Sequence, residues 1–324
     1  ELAEPSMATN GEEETEAVEV EEESTEEAPK GADQLALRWI SYAVGIVLGR
    51  FKPGMDDSIG CGRFTDTAAE ALRALADSDG IAVLDEGHPD DLVTKVERAL
   101  EIALGEAGAA EVITAALGTS ADTTSLLRRY LERDFFKQHI QLYRKRPVYW
   151  LLQSPKKSYS VYVFHERITS DTLPLILGNR YLGGKINQIK QRIDDLSSEA
   201  RSAEGSAKRK LEKALESLEG ILLDLGAFDE AIHRVLEMKN DSGQTVGWQL
   251  AIDDGVILNM APIHELIPSW SVEPRKFWAQ LEAGDYDWAH TAMCYWPKRV
   301  LSKCKSNKSF AIAHDRLDLY EEAG

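Results

Sequence analysis

The chain of 324 residues carries 37 Lys and Arg against 55 Asp and Glu, a net charge of −18, with 43% hydrophobic and 28% charged residues. That balance fits a soluble globular protein of roughly two domains. No apolar run approaches the ~20 residues that span a bilayer, and the acidic N-terminus is unlike a signal peptide, so no membrane partner is expected. Three cysteines, Cys61, Cys294 and Cys304, argue against a disulfide scaffold and fit the cytoplasm.

The charge is uneven. Residues 1–30 hold 12 glutamates and one lysine, a local charge of −11, which leaves only −7 for the remainder. With almost no large apolar groups, residues 1–31 read as a disordered acidic linker; a regulatory tail or nucleic-acid mimic is the alternative. A linker in first position suggests a domain before it.

Residues 33–50 predict a buried helix with Leu35, Trp39, Tyr42 and Ile46 on its inner face. The Gly-rich stretch around Gly60 and Gly62 lacks the context of a phosphate loop and reads as a plain connection. A short helix over 66–76 and an extended stretch at 81–91 follow. Asp90 or Asp91 is placed to cap the next helix, and the acidic group around His88 reads as a solvated turn plus that cap rather than a metal site. A further helix runs near 107–117. Asp122 then caps a long helix that must end before Pro147.

Residues 128–167 hold ten Lys/Arg against three Asp/Glu and nine of the 25 aromatic residues. Arg144, Lys145 and Arg146 precede an aromatic strand, VYWLLQ (148–153), and Lys156 and Lys157 sit in the turn before a second strand, YSVYVFHE (159–166). Lysines on such a turn can neutralise phosphates, and planar side chains such as Tyr149 or Trp150 can stack on bases. Core aromatics with a solvated turn are the plainer alternative. Tyr149 and Trp150 are neighbours in a strand and point to opposite faces, so at most one is expected to face DNA.

Ile186, Ile189, Ile193 and Leu196, then Leu211, Leu215, Leu218, Leu222 and Leu225, form two heptad-like stripes out of phase with each other. With Glu204-Gly205-Ser206 as the turn, they predict two antiparallel helices, about 184–203 and 207–239, read as a structural strut. Asp253-Asp254-Gly255 between WQLAI and VILNM predicts a tight hairpin. Helices are expected over 274–283 and 286–295 and again from Pro297. Residues 288–310 contain no acid and five cations, a second basic patch that includes Lys298 and Arg299. His290, Cys294, Cys304 and His314 have zinc-compatible side chains, but no paired Cys-x-x-Cys presents them, so no metal is expected.

Five segments in this order, ISYAVGIVLGRF (40–51), LDEGHPDDL (84–92), FFKQHIQLYRKRPVYWLLQSPKKSYSVYVFHERITSDTL (135–173), DDGVILNMAPIHELIP (253–268) and YDWAHTAMCYWPKRV (286–300), resemble the C-terminal half of large adenine-specific DNA methyltransferases of phage defence. These are the PglX-type enzymes of BREX systems, the DISARM methylase and related fused restriction–modification enzymes. The resemblance implies hinge and target-recognition regions, with the S-adenosylmethionine site and the Asn-Pro-Pro-Tyr loop in the other half. No Asn-Pro-Pro or Asp-Pro-Pro occurs in residues 1–324. No catalytic residue is therefore expected in this chain and no cofactor bound by it alone, S-adenosylmethionine belonging to the complete enzyme.

The combined expectation is a helix-rich α+β chain: acidic linker 1–31, helical connector 32–146, and target-recognition part 147–324 with small hairpins and the inserted helical pair at about 184–239. Its expected partners are double-stranded DNA, the missing N-terminal methyltransferase domain and other phage-defence proteins. Arg144, Lys145, Arg146, Tyr149, Trp150, Lys156, Lys157, Lys298 and Arg299 are the expected DNA contacts. A non-catalytic protein-interaction scaffold is the alternative.

Overall fold

The computed structural model describes residues 34–56, 59–251 and 253–321. The acidic segment 1–31 lies outside them. Helix α1 (Gln34–Val47) opens the described chain and packs on α3. Its inner face is Ala36, Ile40, Ala43, Val44 and Val47, whereas Leu35 is exposed and Trp39 and Tyr42 are half-buried beside Phe51. Of the expected face, Ile46 is buried, Trp39 and Tyr42 pack half-buried against the core and Leu35 is exposed; the fully buried side is the aliphatic one. Helix α2 (Asp66–Arg73) and strand β1 (Ile81–Val83) follow.

Helix α3 (Leu92–Leu117) starts at Asp91, whose side chain accepts from Thr94 N. It breaks at Gly105, where φ of 77° is open to glycine and costly for other residues. Two helical halves were expected here, and the glycine separates them. The long helix predicted after Asp122 also divides, at Asp134, into α4 (Thr123–Arg133) and α5 (Phe135–Leu142). The break seats Phe135, Phe136, His139 and Ile140 together in the core. Arg144 and Lys145 then take positive φ, 50° and 63°, which ends the helix before Pro147.

Strands β2 (Tyr149–Gln153) and β3 (Ser160–Phe164) pair antiparallel with Leu151 opposite Tyr162, and β1 adds to the other edge of β3. Every residue of the three strands is buried. Their sequences accordingly read as unbroken apolar runs, the pattern of a sheet covered on both faces. One core and one sheet therefore join residues on both sides of position 146. Along the free edge of β2, Ser269 Oγ donates to Gln153 Oε1, and Trp270 stacks on Trp150 with ring centroids 5.7 Å apart.

Helix α6 (Thr172–Leu177) leads into the antiparallel pair α7 (Leu182–Ser202) and α8 (Gly205–Leu236), close to the bounds read from the leucine spacing. The hairpin expected over 248–260 is not formed among the described residues. Instead VILNM forms a short helix, α9 (Val256–Met260). Asn259 takes the place of a partner strand: its Oδ1 accepts from Ala251 N at 2.7 Å and its Nδ2 donates to Ala251 O at 2.9 Å. Asp254, the expected turn residue, is committed elsewhere, accepting from His290 N and Thr291 N at 3.0 and 2.7 Å. Helices α10 (Val272–Ala283), α11 (His290–Tyr295), α12 (Pro297–Ser306) and α13 (Lys308–Ala313) complete the described chain. Leu281, Ala289, Ala292, Val300, Cys304 and Ala311 form a second, smaller core among them.

Candidate nucleic-acid interface

Lys156 and Lys157 are exposed at the tip of the β2–β3 hairpin, and neither makes an ion pair among the described residues. The turn that carries them is rigidly built. Lys157 N donates to Ser154 O at 2.8 Å, and Lys157 sits at φ 62°. The buried carboxylate of Asp224, from the middle of α8, accepts from Ser154 Oγ at 2.6 Å, Lys156 N at 2.7 Å and Ser158 N at 3.1 Å. Burial alone would raise the Asp224 carboxyl; these donors outweigh it, and the group lies below the usual carboxylate range. The sequence signal for Asp224 is a lone acid inside the apolar run ILLDLGAF. The result is a pair of ammonium groups held out on a turn whose backbone N–H groups are already satisfied.

Arg144, Lys145 and Arg146 are also exposed, but they precede β2 and so lie at the opposite end of the hairpin from Lys156. Lys145 Nζ pairs with Glu273 Oε1 at 2.6 Å, which leaves Arg144 and Arg146 as the unpaired cations of this cluster among the described residues. The cluster is braced from behind. Arg50 donates to the Tyr143 hydroxyl and lies over the rings of Phe51, Tyr143 and Tyr149 at 5.1, 5.1 and 5.9 Å.

Tyr149 and Trp150 do not belong to the surface. Their relative exposures are 1% and 0%. Both strand faces are covered, so of the two rings, at most one of which was expected to face DNA, neither reaches solvent. Tyr149 stacks on His139 at 4.7 Å, and Trp150 is sandwiched near Phe136 and Trp270. His139 Nε2 accepts from Val148 N and Tyr149 N at 3.0 and 3.1 Å, which requires the proton on Nδ1. Burial, with the Arg50 charge adding to it, pushes the imidazole down to about 3.

The second basic patch divides in two. Lys298 is exposed, with its Nζ 3.1 Å from Asp241 O. Arg299 is spent on internal structure: it meets Asp287 at 2.7 Å and donates to Glu282 O and Leu281 O at 2.8 and 2.6 Å. Lys303 reaches the other oxygen of the same fully buried Asp287 at 2.6 Å. A guanidinium with these partners has no free edge for a phosphate.

Two of the four residues weighed for zinc have other partners. Cys304 is buried in the smaller core, and His314 Nε2 lies 2.6 Å from Asp287 O. In the acidic group at 85–91, Glu86, Gly87 and Pro89 form the exposed turn expected and Asp91 caps the helix, but Asp90 and Asp91 are themselves buried. Arg128 grips both oxygens of Asp91 at 3.1 and 2.9 Å, Lys95 meets Asp90 at 2.8 Å, and Lys185 meets Asp85 at 2.6 Å. A cavity of about 490 Å³ opens there between residues 85–90 and 179–188. His88 lines it as a bridge, Nδ1 accepting from Asp90 N at 2.9 Å and Nε2 directed at Arg180 O at 2.6 Å.

No protein-family model matches the chain. It is 28% identical over 249 residues to an adenine-specific methyltransferase, BrxX, of Escherichia coli O9:H4 (strain HS), a match covering 70% of this chain and 20% of that protein. It is 26% identical over 234 residues to an adenine-specific methyltransferase, PglX, of Lacticaseibacillus casei (strain Zhang), covering 69% of this chain and 19% of that protein. The chain thus spans about a fifth of the length of the curated relatives it matches. Over that span, the chain is related to the PglX-type adenine-specific methyltransferases.

Proposed function

We propose that these residues form the DNA-contacting, target-recognition portion of a site-specific N6-adenine DNA methyltransferase in a phage-defence system of the cytoplasm. Its partners are double-stranded DNA, a methyltransferase domain that holds S-adenosylmethionine and the flipped adenine, and other defence proteins. Relationship to methyltransferases supplies the class of activity. The observation that carries the role is the Lys156–Lys157 turn: two free cations on a backbone fixed by Asp224. Phosphate contacts from a pre-set turn position a duplex without the loss of loop entropy that a floppy lysine segment would incur. Arg144 and Arg146 extend the contact at the other end of the hairpin, and Lys298 is a further candidate cation.

Fluorescence anisotropy on a labelled duplex across a salt series tests this. Lys156→Ala with Lys157→Ala weakens binding to all duplex sequences alike. It lowers the slope of log affinity against log salt by roughly two units, because each phosphate contact contributes about 0.9. A double variant that keeps both affinity and slope makes the turn a solvated one and returns the chain to a scaffold role. The chain on its own is proposed to transfer no methyl group; turnover of S-adenosylmethionine by purified chain would overturn the division of labour.

A further inference from the structure

Helix α8 does more than hold the basic turn. From Asp224 onward its inner face is buried: Phe228 and Ala231 lie in the core, and Phe228 packs 6.4 Å from Tyr159. Before Asp224 the same face emerges into solvent. At about 100° per residue, Ser206, Arg209, Lys210, Lys213, Ser217 and Gly220 all fall within about 60° of the direction of Asp224. Arg209, Lys210 and Lys213 are exposed and unpaired among the described residues. The glutamates of this stretch are centred to one side of it: Glu212 and Glu219 point away by about 120° and 140°, and Glu216, at about 80°, borders it beside Arg209. Asp224, the sole acid on the face, is covered by the turn it holds.

Glu212 and Glu216 follow Arg209 and Lys213 by three residues, the spacing of helical ion pairs, yet no such pair forms among the described residues, so these cations stay open to a ligand. Leu211, Leu215, Leu218 and Leu222 look toward α7 and are half-buried, so the basic side is not the seam of the pair. With a rise of about 1.5 Å per residue, Lys213 and Arg209 stand about 16 and 22 Å along the helix from Asp224. They form a basic track that begins at the Lys156–Lys157 turn and runs out along the arm. Duplex DNA rises about 3.4 Å per base pair, so the track matches about five to seven base pairs of backbone.

We infer that the α7–α8 hairpin is a DNA-backbone arm, whose Arg209, Lys210 and Lys213 contact phosphates of the same duplex that the Lys156–Lys157 turn engages. The inference rests on the proposed DNA-binding role and adds a second contact to it. The arm lengthens the footprint without reading sequence, since cations on phosphates position a duplex and base-edge contacts specify it.

The test compares three proteins in the salt-dependent anisotropy measurement on one long duplex: wild type, the Arg209→Ala, Lys210→Ala, Lys213→Ala triple variant, and the Lys156→Ala, Lys157→Ala double variant. Alanine at exposed helix positions preserves the helix, and far-ultraviolet circular dichroism checks that it does. The expected result is a triple variant with a salt slope lower by about two to three units and at least tenfold weaker binding. The charge-keeping Arg209→Lys, Lys210→Arg, Lys213→Arg variant restores both. A triple variant that binds like wild type, while the double variant is weakened, overturns the arm and leaves the proposed function standing. Wild-type protein with no salt-dependent affinity for DNA overturns both.

Discussion

Asp224 and Lys156 are 68 residues apart in sequence, yet the Asp224 carboxylate accepts the Lys156 backbone N–H at 2.7 Å. An acid beneath two lysines invites an ion-pair reading, but it is the main chain that the carboxylate grips. The ammonium groups are thereby left outside, available to a ligand, while the turn is fixed.

Asp224→Asn keeps the shape but gives up one of the two carboxylate oxygens that serve Ser154, Lys156 and Ser158. The expected cost is about 1–3 kcal/mol, from buried donors left unsatisfied, read by urea denaturation. Because the folded carboxyl titrates below its unfolded value, its contribution is complete above about pH 4 and is lost as the pH falls through the lower folded value. The variant should therefore lose less stability on acidification than the wild type. An equal loss in the two proteins would show that Asp224 does not supply it.

His139 predicts a second pH dependence with its own window. Its ordinary value of 6.5 falls to about 3 in the folded protein, so between these limits the unfolded chain binds the extra proton. Stability attributable to His139 is complete above about pH 6.5 and declines as the pH falls toward 3, by about 1.4 kcal/mol per pH unit at the steepest. His139→Gln places a carbonyl oxygen where Nε2 now accepts from Val148 and Tyr149. This variant should lack that slope over pH 4 to 6, as measured by denaturation at each pH. A wild-type slope retained in the variant assigns it to another group, His165 being the other histidine lowered by burial.

Lys298 and Arg299 are neighbours with opposite expectations. Lys298→Ala should change stability by no more than about 0.5 kcal/mol, as an exposed side chain. Arg299→Ala leaves the buried Asp287 with Lys303 as its remaining cation and strips donors from two carbonyls. A loss of about 3 kcal/mol is expected, at the low end for a broken buried pair because Lys303 stays. Equal, small effects at both positions in thermal or urea unfolding would show that Arg299 is not a structural cation.

Much of the fold was legible because it is written locally. Aromatic and β-branched runs around a Ser-Pro-Lys-Lys turn mark β2 and β3, and the leucine spacing with Glu204-Gly205-Ser206 marks α7 and α8. What misled were residues whose partners are distant. Asp254 looks like a hairpin turn until its carboxylate is seen capping α11, and Arg299 looks like surface charge until Asp287 is seen beneath it. The cations of α8 give no signal in composition, because Glu212, Glu216 and Glu219 nearly neutralise them along the sequence. Exposure at Tyr149 and Trp150 depended on how many layers cover the sheet, which strand alternation alone does not give and the near-continuous apolar runs of β2 and β3 do signal.

Trp150 separates a packing role from a DNA-stacking role directly. The side chain is fully buried between the α5 side, at Phe136, and Trp270 from the segment along the β2 edge. Trp150→Ala removes one of the largest side chains in the core, and losses of about 3–5 kcal/mol attend such truncations. Trp150→Phe keeps an aromatic ring in the site and should cost less, since part of the volume and the stacking remain. A base-stacking tryptophan would instead lose about 1–3 kcal/mol of DNA affinity on truncation, with stability little changed. Measuring unfolding free energy and DNA affinity on the same two variants gives a clean contrast. The expected pattern is a large stability loss for alanine, a smaller one for phenylalanine, and wild-type affinity in the phenylalanine variant, which stays folded. Weakened DNA binding by a stable Trp150→Phe variant would return the ring to the interface.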